Sequence, residues 1–310
     1  MNSLFQMTWF KRMFVNENRQ KSDTHFPWFI LCVSIIDIAL LIYSIVDSKG
    51  ISPMSENWMA GPSRVTLIRN GAKFVPCMKP TQKDVLNDRL NCSSISSLGY
   101  DICTYEMFLQ YICNVEKLKG FPYQVYRFLT PVFLHGGIIH LLLNLFNQLA
   151  LGIMLERQYG LIRIGIIYIL SGIGSILLSA IGFSQYASVG ASGSIMGMWA
   201  VCVLDMIRNW EGLKQSGIPI AIDTICIIVL FIVGFFVPVF DSMGHLGGLL
   251  IGILSGLLFC PNLYWKVDTD NAVKSRLFIM GISSIFLLAF FLGGFIGFFK
   301  TTASPIFTVN

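Results

Sequence analysis

Polar residues interrupt this chain at long, uneven intervals, and what lies between them is apolar. Seven runs stand out: Pro27–Val46, Ile138–Leu155, Ile162–Ile181, Gly190–Ile207, Ile218–Val237, Gly244–Leu258 and Leu277–Phe299. They gather near the ~20 residues that a helix needs to cross a bilayer. The pattern predicts an all-α protein, a polytopic membrane helix bundle of seven spans. The fourth and sixth runs are short and rich in glycine, which marks them as interior helices.

Composition agrees with the pattern. Of 310 residues, 54% are hydrophobic and only 13% charged, against about 25% charged in a soluble domain. The net charge of +5 sits on Lys and Arg in the loops, with no basic stripe, so nucleic acid is not an expected partner. The lipid bilayer is.

Charge then orients the runs. Lys11, Arg12, Arg19 and Lys21 precede the first span. Arg157 and Arg163, Arg208 and Lys214, and Lys266, Lys274 and Arg276 mark alternate short loops. The loops Phe183–Val189 and Pro238–Met243 carry no Lys or Arg. The positive-inside rule therefore puts the N-terminus in the cytosol and the C-terminus on the other side, with Lys300 opposing mildly. No cleavage site follows Met1–Trp9, so the first span is expected to act as a signal anchor. The implied organisation is a cytosolic segment 1–26, a first span 27–46, a long lumenal or extracellular loop 47–137, a core 138–258, a cytosolic loop 259–276, a last span 277–299 and a tail 300–310.

The long loop holds Cys77, Cys92, Cys103 and Cys113. An even number of cysteines in one polar segment fits two disulfides in an oxidising compartment, with three pairings open. The competing reading is four free thiols in a cytosolic loop. Asn91-Cys92-Ser93 is a poor glycosylation sequon. Pro53, Pro62, Pro76 and Pro80 make the first half of the loop irregular, while Tyr100–Tyr126 has the composition of short helices lying on the bilayer surface. Cys32, Cys202, Cys226 and Cys260 lie in or beside spans and read as packing residues. A membrane of the secretory route (Golgi, plasma membrane or endosome) is the expected location.

Two strings carry candidate chemistry, Gly190-Ala191-Ser192-Gly193 and Gly244-His245-Leu246-Gly247-Gly248. Both open spans that enter from the non-cytosolic side, so Ser192 and His245 fall at similar depth. A Ser and a His at one depth form a nucleophile and its base only if their helices nearly touch. Glycines at 244, 248, 252 and 256, facing Gly193 and Gly197, supply the small-residue stripes that permit this. The plainer reading, that Gly193, Gly197, Gly248 and Gly252 serve packing alone, is compatible, because packing is what would align the pair.

His140 and Asn144 lie four apart on one face of the second span, near the same depth. They are donors for a developing oxyanion, together with backbone N–H groups around Gly190 and Ser192 at a helix N-terminus. Alone, such a pair is ordinary interhelical glue. His135 is expected at the surface just before the span. No acid is well placed for a triad: Asp241 could touch His245 but is expected to face water, Asp205 and Asp223 lie towards the cytosolic side, and Asp37 in the first span is either functional or neutral and bonded to a neighbouring helix. Too few ligands gather for a metal, and no phosphate or dinucleotide loop predicts a cofactor. A transporter or channel would need ionisable residues reaching the cytosolic face, whereas this polar cluster occupies only the non-cytosolic third.

These residues resemble the rhomboid family of intramembrane serine proteases, over about Tyr126 to Leu258. Tyr126-Arg127 through His135 is similar to the family's Trp-Arg loop, His140-Leu141-Leu142-Leu143-Asn144 to its His-x-x-x-Asn, Gly190–Gly193 to its nucleophile motif, and His245-Leu246-Gly247-Gly248 with Gly252 to its base-bearing helix. The resemblance implies a rhomboid-like six-helix core plus one extra C-terminal transmembrane helix, an arrangement similar to the secretase-type eukaryotic branch. The resemblance implies Ser192 as nucleophile, His245 as general base and acid, His140 and Asn144 with the Ser192 and Gly190 backbone as oxyanion hole, and Gly248 and Gly252 as the close helix crossing. It further implies single-pass transmembrane substrates that enter beside Ile218–Val237. Two departures stand out: Tyr126 replaces the usual Trp, and Met196 sits where many members have a Tyr on the catalytic His. Inactive relatives lose the Ser or His, or carry Pro before the Ser; here Ala191 precedes it. The rival within the family is a catalytically weak or inactive member that binds transmembrane clients.

Overall fold

The computed structural model describes residues 25–81, 86–91, 102–114, 123–184, 186–208, 241–260 and 270–303, and the structural statements below concern these. The fifth run, Ile218–Val237, lies outside them, as do Cys92 and Cys226.

Helix α1 spans Trp28–Asp47. The long loop follows, with short helices α2 (Arg64–Arg69) and α3 (Val75–Met78), strands β1 (Arg89–Asn91) and β2 (Ile102–Thr104), and α4 (Tyr105–Ile112). Then come the apolar helices α5 (Ile138–Tyr159), α6 (Leu161–Gly182), α7 (Ser192–Arg208) and α8 (Ser242–Phe259), and last α9 (Asp270–Lys300). Five of these, α1, α5, α6, α8 and the 274–300 part of α9, are long and apolar enough to cross a membrane. The protein is an integral membrane protein built as a helical bundle.

Helix α6 is the most buried of the five and α9 the least. α8 lies across both α6 and α7, α7 also touches α5, α1 packs on α5, and α9 lies against α8 and α6. The core runs through Ile164, Ile167, Tyr168, Leu177, Ala191, Met198 and Val201. α9 starts earlier than the apolar run because Asp270–Arg276 is polar, and charge ends a hydropathy window without ending a helix.

Several buried polar groups in the bundle are bonded across neighbouring helices. The Glu156 carboxylate accepts the N–H groups of Phe29 and Ile30, 2.9 Å each, which satisfies two of the orphan donors at the start of α1. Asp37 accepts from Gln148 Nε2 at 2.9 Å, and Gln148 Oε1 accepts from the Tyr168 hydroxyl at 2.8 Å. Asp37 thus ties α1 through α5 to α6, as the interhelical reading of that residue expects.

The described parts of the long loop form a layer with its own core of Ile68, Phe74, Tyr105, Phe108, Leu109 and Ile112. Cys77 and Cys113 are disulfide-bonded, and Cys103 is itself disulfide-bonded. The expectation of short helices across Tyr100–Tyr126 needs one correction. Ile102–Thr104 is a strand, antiparallel to β1 with Leu90 opposite Cys103, and the helix begins only at Tyr105. β-branched Ile102 and Thr104 favour the extended chain, and Thr104 then caps α4 by accepting the Met107 N–H.

Three contacts press this layer onto the bundle. Asn57 Nδ2 donates to Gly136 O at 2.7 Å. The carbonyls of Ala60 and Met59 accept the first N–H groups of α5, from Ile138 and Ile139. Lys79 Nζ donates to Phe298 O at 3.1 Å and to Thr301 Oγ1 at 2.7 Å, a cation at the C-terminus of α9 where the helix dipole favours it. Arg127 is fully buried, and its Nη1 donates to Ile68 O and Ala72 O at 2.6 and 2.8 Å. The arginine of the Tyr-Arg pair therefore pins the turn at residues 68–72, while Tyr126 stays half exposed at the rim.

Candidate active site

The chain reaches Ser192 through Gly190, whose φ of +131° is a conformation L side chains rarely adopt. The Gly190 N–H is held by Pro131 O at 2.8 Å. α7 then starts at Ser192. Its first intrahelical bond beyond the turn runs from Ile195 N–H to Ala191 O, so the Ser192 and Gly193 amides belong to the orphan donors of a helix N-terminus.

α8 starts at Ser242, with Asp241 as its N-cap. The Asp241 side chain accepts the Gly244 N–H at 2.9 Å, and its carbonyl accepts the His245 N–H. His245 therefore sits in the first turn of α8, as Ser192 does in α7. The imidazole Nε2 lies 2.9 Å from Ser192 Oγ, within direct hydrogen-bond reach of a nucleophile and its base. Both residues are half-buried.

What brings them so close is backbone on backbone. A Cβ on Gly248 would collide with the Gly193 carbonyl, and one on Gly252 would stand 2.6 Å from Gly197 O and 2.9 Å from Gly197 C. Behind them, a Cβ on Gly193 would strike the Ser175 side chain and one on Gly197 that of Ser171. α7 is thus wedged between α6 and α8 with no room for a methyl group on either side.

His140 and Asn144 of α5 face the same spot. A Cβ on Gly190 would come within 2.8 Å of His140 Cε1, 2.9 Å of its Nε2 and 3.5 Å of Asn144 Nδ2. The other ring nitrogen, His140 Nδ1, accepts the Gly136 N–H at 3.2 Å. In the neutral ring the proton then resides on Nε2, which becomes a donor aimed past Gly190. Asn144 Nδ2 is buried with no acceptor among the described residues. Gly190 itself contributes its bare α-carbon, since its N–H is already spent on Pro131. The donors that remain for an oxyanion are Ser192 N–H, His140 Nε2–H and Asn144 Nδ2–H, gathered where α5, α7 and α8 all present their positive N-terminal ends.

His135 is not at the surface as expected but buried at 1% exposure, its ring edge-on to His140 with centroids 5.5 Å apart. Burial, and then the neighbouring His140, push its pKa down to about 3, so it is a neutral wall of the site at ordinary pH. The sequence hides this because a histidine in the loop before a helix carries no local sign of burial. Asp241 is corrected too. It is only partly exposed, and its side chain takes the Gly244 N–H and the Ser179 hydroxyl. An aspartate just before a helix is a strong N-cap, and that was the available signal. Asp205 accepts from Gln158 and Tyr159. Met196 is half-buried. Among the described residues no cluster of three or more His, Cys, Asp or Glu could hold a metal.

Residues 122–262, which include His140, Asn144, Ser192 and His245, match the family described as Rhomboid domain. The chain belongs to the rhomboid family. It is 31% identical over 290 residues to "Rhomboid-type serine protease 2" of Emericella nidulans, covering 84% of this chain and 54% of that protein. It is 38% identical over 143 residues to "RHOMBOID-like protein 6, mitochondrial" of Arabidopsis thaliana, covering 46% of each. It is also 34% identical over 207 residues to "Inactive rhomboid protein 1" of Danio rerio, covering 66% of this chain and 22% of that protein. The chain thus spans about half the length, or less, of these curated relatives. The rhomboid family so matched includes both a named protease and a named inactive member, and the site in this rhomboid has to be read on its own atoms.

That reading makes Asn144 a test. If Asn144 Nδ2 is an oxyanion donor, Asn144→Ala removes it. The expected result is a fall in kcat of about 10²–10³-fold with KM little changed, measured on a single-span substrate in liposomes. An unchanged kcat would remove Asn144 from the site.

Proposed function

We propose that this rhomboid is an intramembrane serine endopeptidase that cuts transmembrane segments of other proteins near their lumenal or extracellular end. The observation that carries the reading is the 2.9 Å contact between His245 Nε2 and Ser192 Oγ, set beside a buried amide donor with no acceptor of its own. That donor faces Gly190 beside His140, where an acceptor from a substrate would relieve its cost of about 1–3 kcal/mol.

In this mechanism Ser192 Oγ attacks the scissile carbonyl carbon while His245 Nε2 takes the hydroxyl proton. The carbonyl oxygen becomes an anion held by Ser192 N–H, His140 Nε2–H and Asn144 Nδ2–H. The C–N bond breaks as His245 returns the proton to the leaving amine, and an ester to Ser192 remains. Water attacks that ester with His245 again as base, giving a carboxylate product and free Ser192. A helical substrate shields its peptide bonds, so it must unwind locally, and Gly, Ala, Ser or Pro near the cut lowers that cost.

The long loop supports a reading of the side on which the site opens. The layer containing the Cys77–Cys113 disulfide sits at the same end of the bundle as Ser192 and His245, joined to the segment before Ser192 by the paired backbones of Lys73 and Ser188. Disulfides persist in oxidising compartments, and the basic residues of the alternate loops favour a cytosolic N-terminus. Both support a site facing the lumen or exterior in a membrane of the secretory route. The resemblance to an inactive zebrafish relative favours the rival reading, a client-binding protein.

The test is cleavage of a single-span protein by the purified full chain in liposomes, with the cut mapped by mass spectrometry. The expected product ends within the non-cytosolic third of the substrate's span. A cut in the soluble flanks, or no cut in substrates whose spans contain Gly or Ala near that end, would overturn the reading in favour of client binding.

A further inference from the structure

We infer that Lys73 is a positioning residue that holds Ser192 and His245 in register by gripping the two catalytic segments at once. The inference rests on the Ser192–His245 reading above and extends it to a residue of the long loop.

Lys73 is fully buried, an unusual place for a lysine. Its backbone pairs in both directions with Ser188, N–H to O at 3.0 Å one way and 3.1 Å the other. Ser188 stands four residues before Ser192. The Lys73 side chain runs the opposite way, and its Nζ donates to Ser179 Oγ at 2.9 Å and to Phe183 O at 2.9 Å. Both acceptors lie at the end of α6. The Ser179 hydroxyl in turn donates to Asp241 Oδ2, and Asp241 stands four residues before His245. One residue thus reaches the approach to the nucleophile through its main chain and the cap of the base helix through its side chain.

The charges are matched across this relay. Burial pushes the Lys73 ammonium down to about 8, and the Asp241 charge works against that shift. Burial would raise the Asp241 carboxyl, but the Lys73 charge and the hydrogen bonds from Ser179 and the Gly244 N–H outweigh it and hold it below its ordinary value. A buried pair of this kind is weak evidence for stability, because desolvation offsets the attraction. Its better-attested use is to specify one arrangement, here the depth and rotation of two helix N-termini.

Lys73 is in turn anchored from behind. The Arg127 guanidinium holds Ile68 O and Ala72 O, and the Cys77–Cys113 disulfide lies four residues further on.

The test compares Lys73→Met, Asp241→Asn and the double variant with wild type and with Ser192→Ala, all as the full chain in liposomes. The measurements are kcat and KM on a single-span substrate, the rate of Ser192 modification by a fluorophosphonate, and the thermal midpoint. Lys73→Met leaves the Asp241 charge unmatched and lowers both the midpoint and kcat. Asp241→Asn keeps a side-chain oxygen to cap Gly244. The double variant removes both charges, so the midpoint recovers. The positioning role predicts that kcat and the labelling rate stay low in the double variant, by about 10²-fold, with KM near wild type. If kcat per folded molecule returns with the midpoint, Lys73 serves stability alone and the inference fails. Cleavage by Ser192→Ala equal to wild type would instead sink the dyad reading on which it rests.

Discussion

Ser192→Ala abolishes cleavage and leaves the fold in place. The substitution removes one half-buried hydroxyl and its bond to His245, a loss of about 1 kcal/mol in stability. It also removes the nucleophile, which in serine hydrolases of unrelated fold costs roughly 10⁶-fold in kcat. His245→Ala gives a loss of the same order, because the hydroxyl then has no base. The two losses are not additive, since the residues act as one unit, so the double variant is no worse than either single one. The check is product formation from a single-span substrate at equal folded amounts in liposomes. Full activity in either variant would mean that the 2.9 Å contact is not the catalytic one.

On the proposed function, Gly252→Val is expected to silence cleavage without touching Ser192 or His245. The new Cβ would stand 2.6 Å from Gly197 O, and neither backbone can yield without moving a helix. α8 must retreat from α7, which carries His245 away from Ser192. Overpacking costs about 1–3 kcal/mol, so the protein still folds, but a displacement of about 1 Å at the chemistry is worth about 10²-fold in rate. Gly248→Val meets Gly193 in the same way. Gly293→Val is the control, because a Cβ there finds nothing within 4 Å, and it is expected to leave the rate unchanged. Cleavage rates and serine-probe labelling of the three variants separate a register effect from a general intolerance of valine in these helices.

Where polar residues are scarce the sequence is easy to read. The six apolar runs among the described residues are helices, because a bilayer leaves the backbone no other partner. Ser192, His245, His140 and Asn144 stood out because polar groups at those depths need a reason, and a shared depth makes contact a simple inference. The glycine stripe foretold a close crossing, but only the structure shows that Gly248 meets Gly193 and Gly252 meets Gly197 as backbones. The oxyanion-hole reading needed an adjustment at Gly190, whose amide is taken by Pro131, a bond between loops that no local pattern reveals.

The long loop was the least legible part. Its prolines and scattered polar residues suggest irregular chain, yet it folds into a disulfide-bonded layer that buries Lys73, Arg127 and His135. Each was opaque for the same reason. A charged or polar residue in a loop is expected to meet water, and burial depends on partners distant in sequence, such as Ser179 for Lys73 and Ile68 for Arg127. Asp241 differs, because its position just before a helix is a local signal for capping. Its second bond, to Ser179, is again long-range.

The account's central claim is that Ser192 is a nucleophile activated by His245. Mass spectrometry of the full chain in liposomes after treatment with a fluorophosphonate tests it most directly. The predicted result is a phosphonyl adduct on Ser192 that is absent from His245→Ala at equal folded amount, with none on Ser194 two residues away. A folded wild-type protein with no adduct on Ser192, or one labelled equally with and without His245, would contradict it.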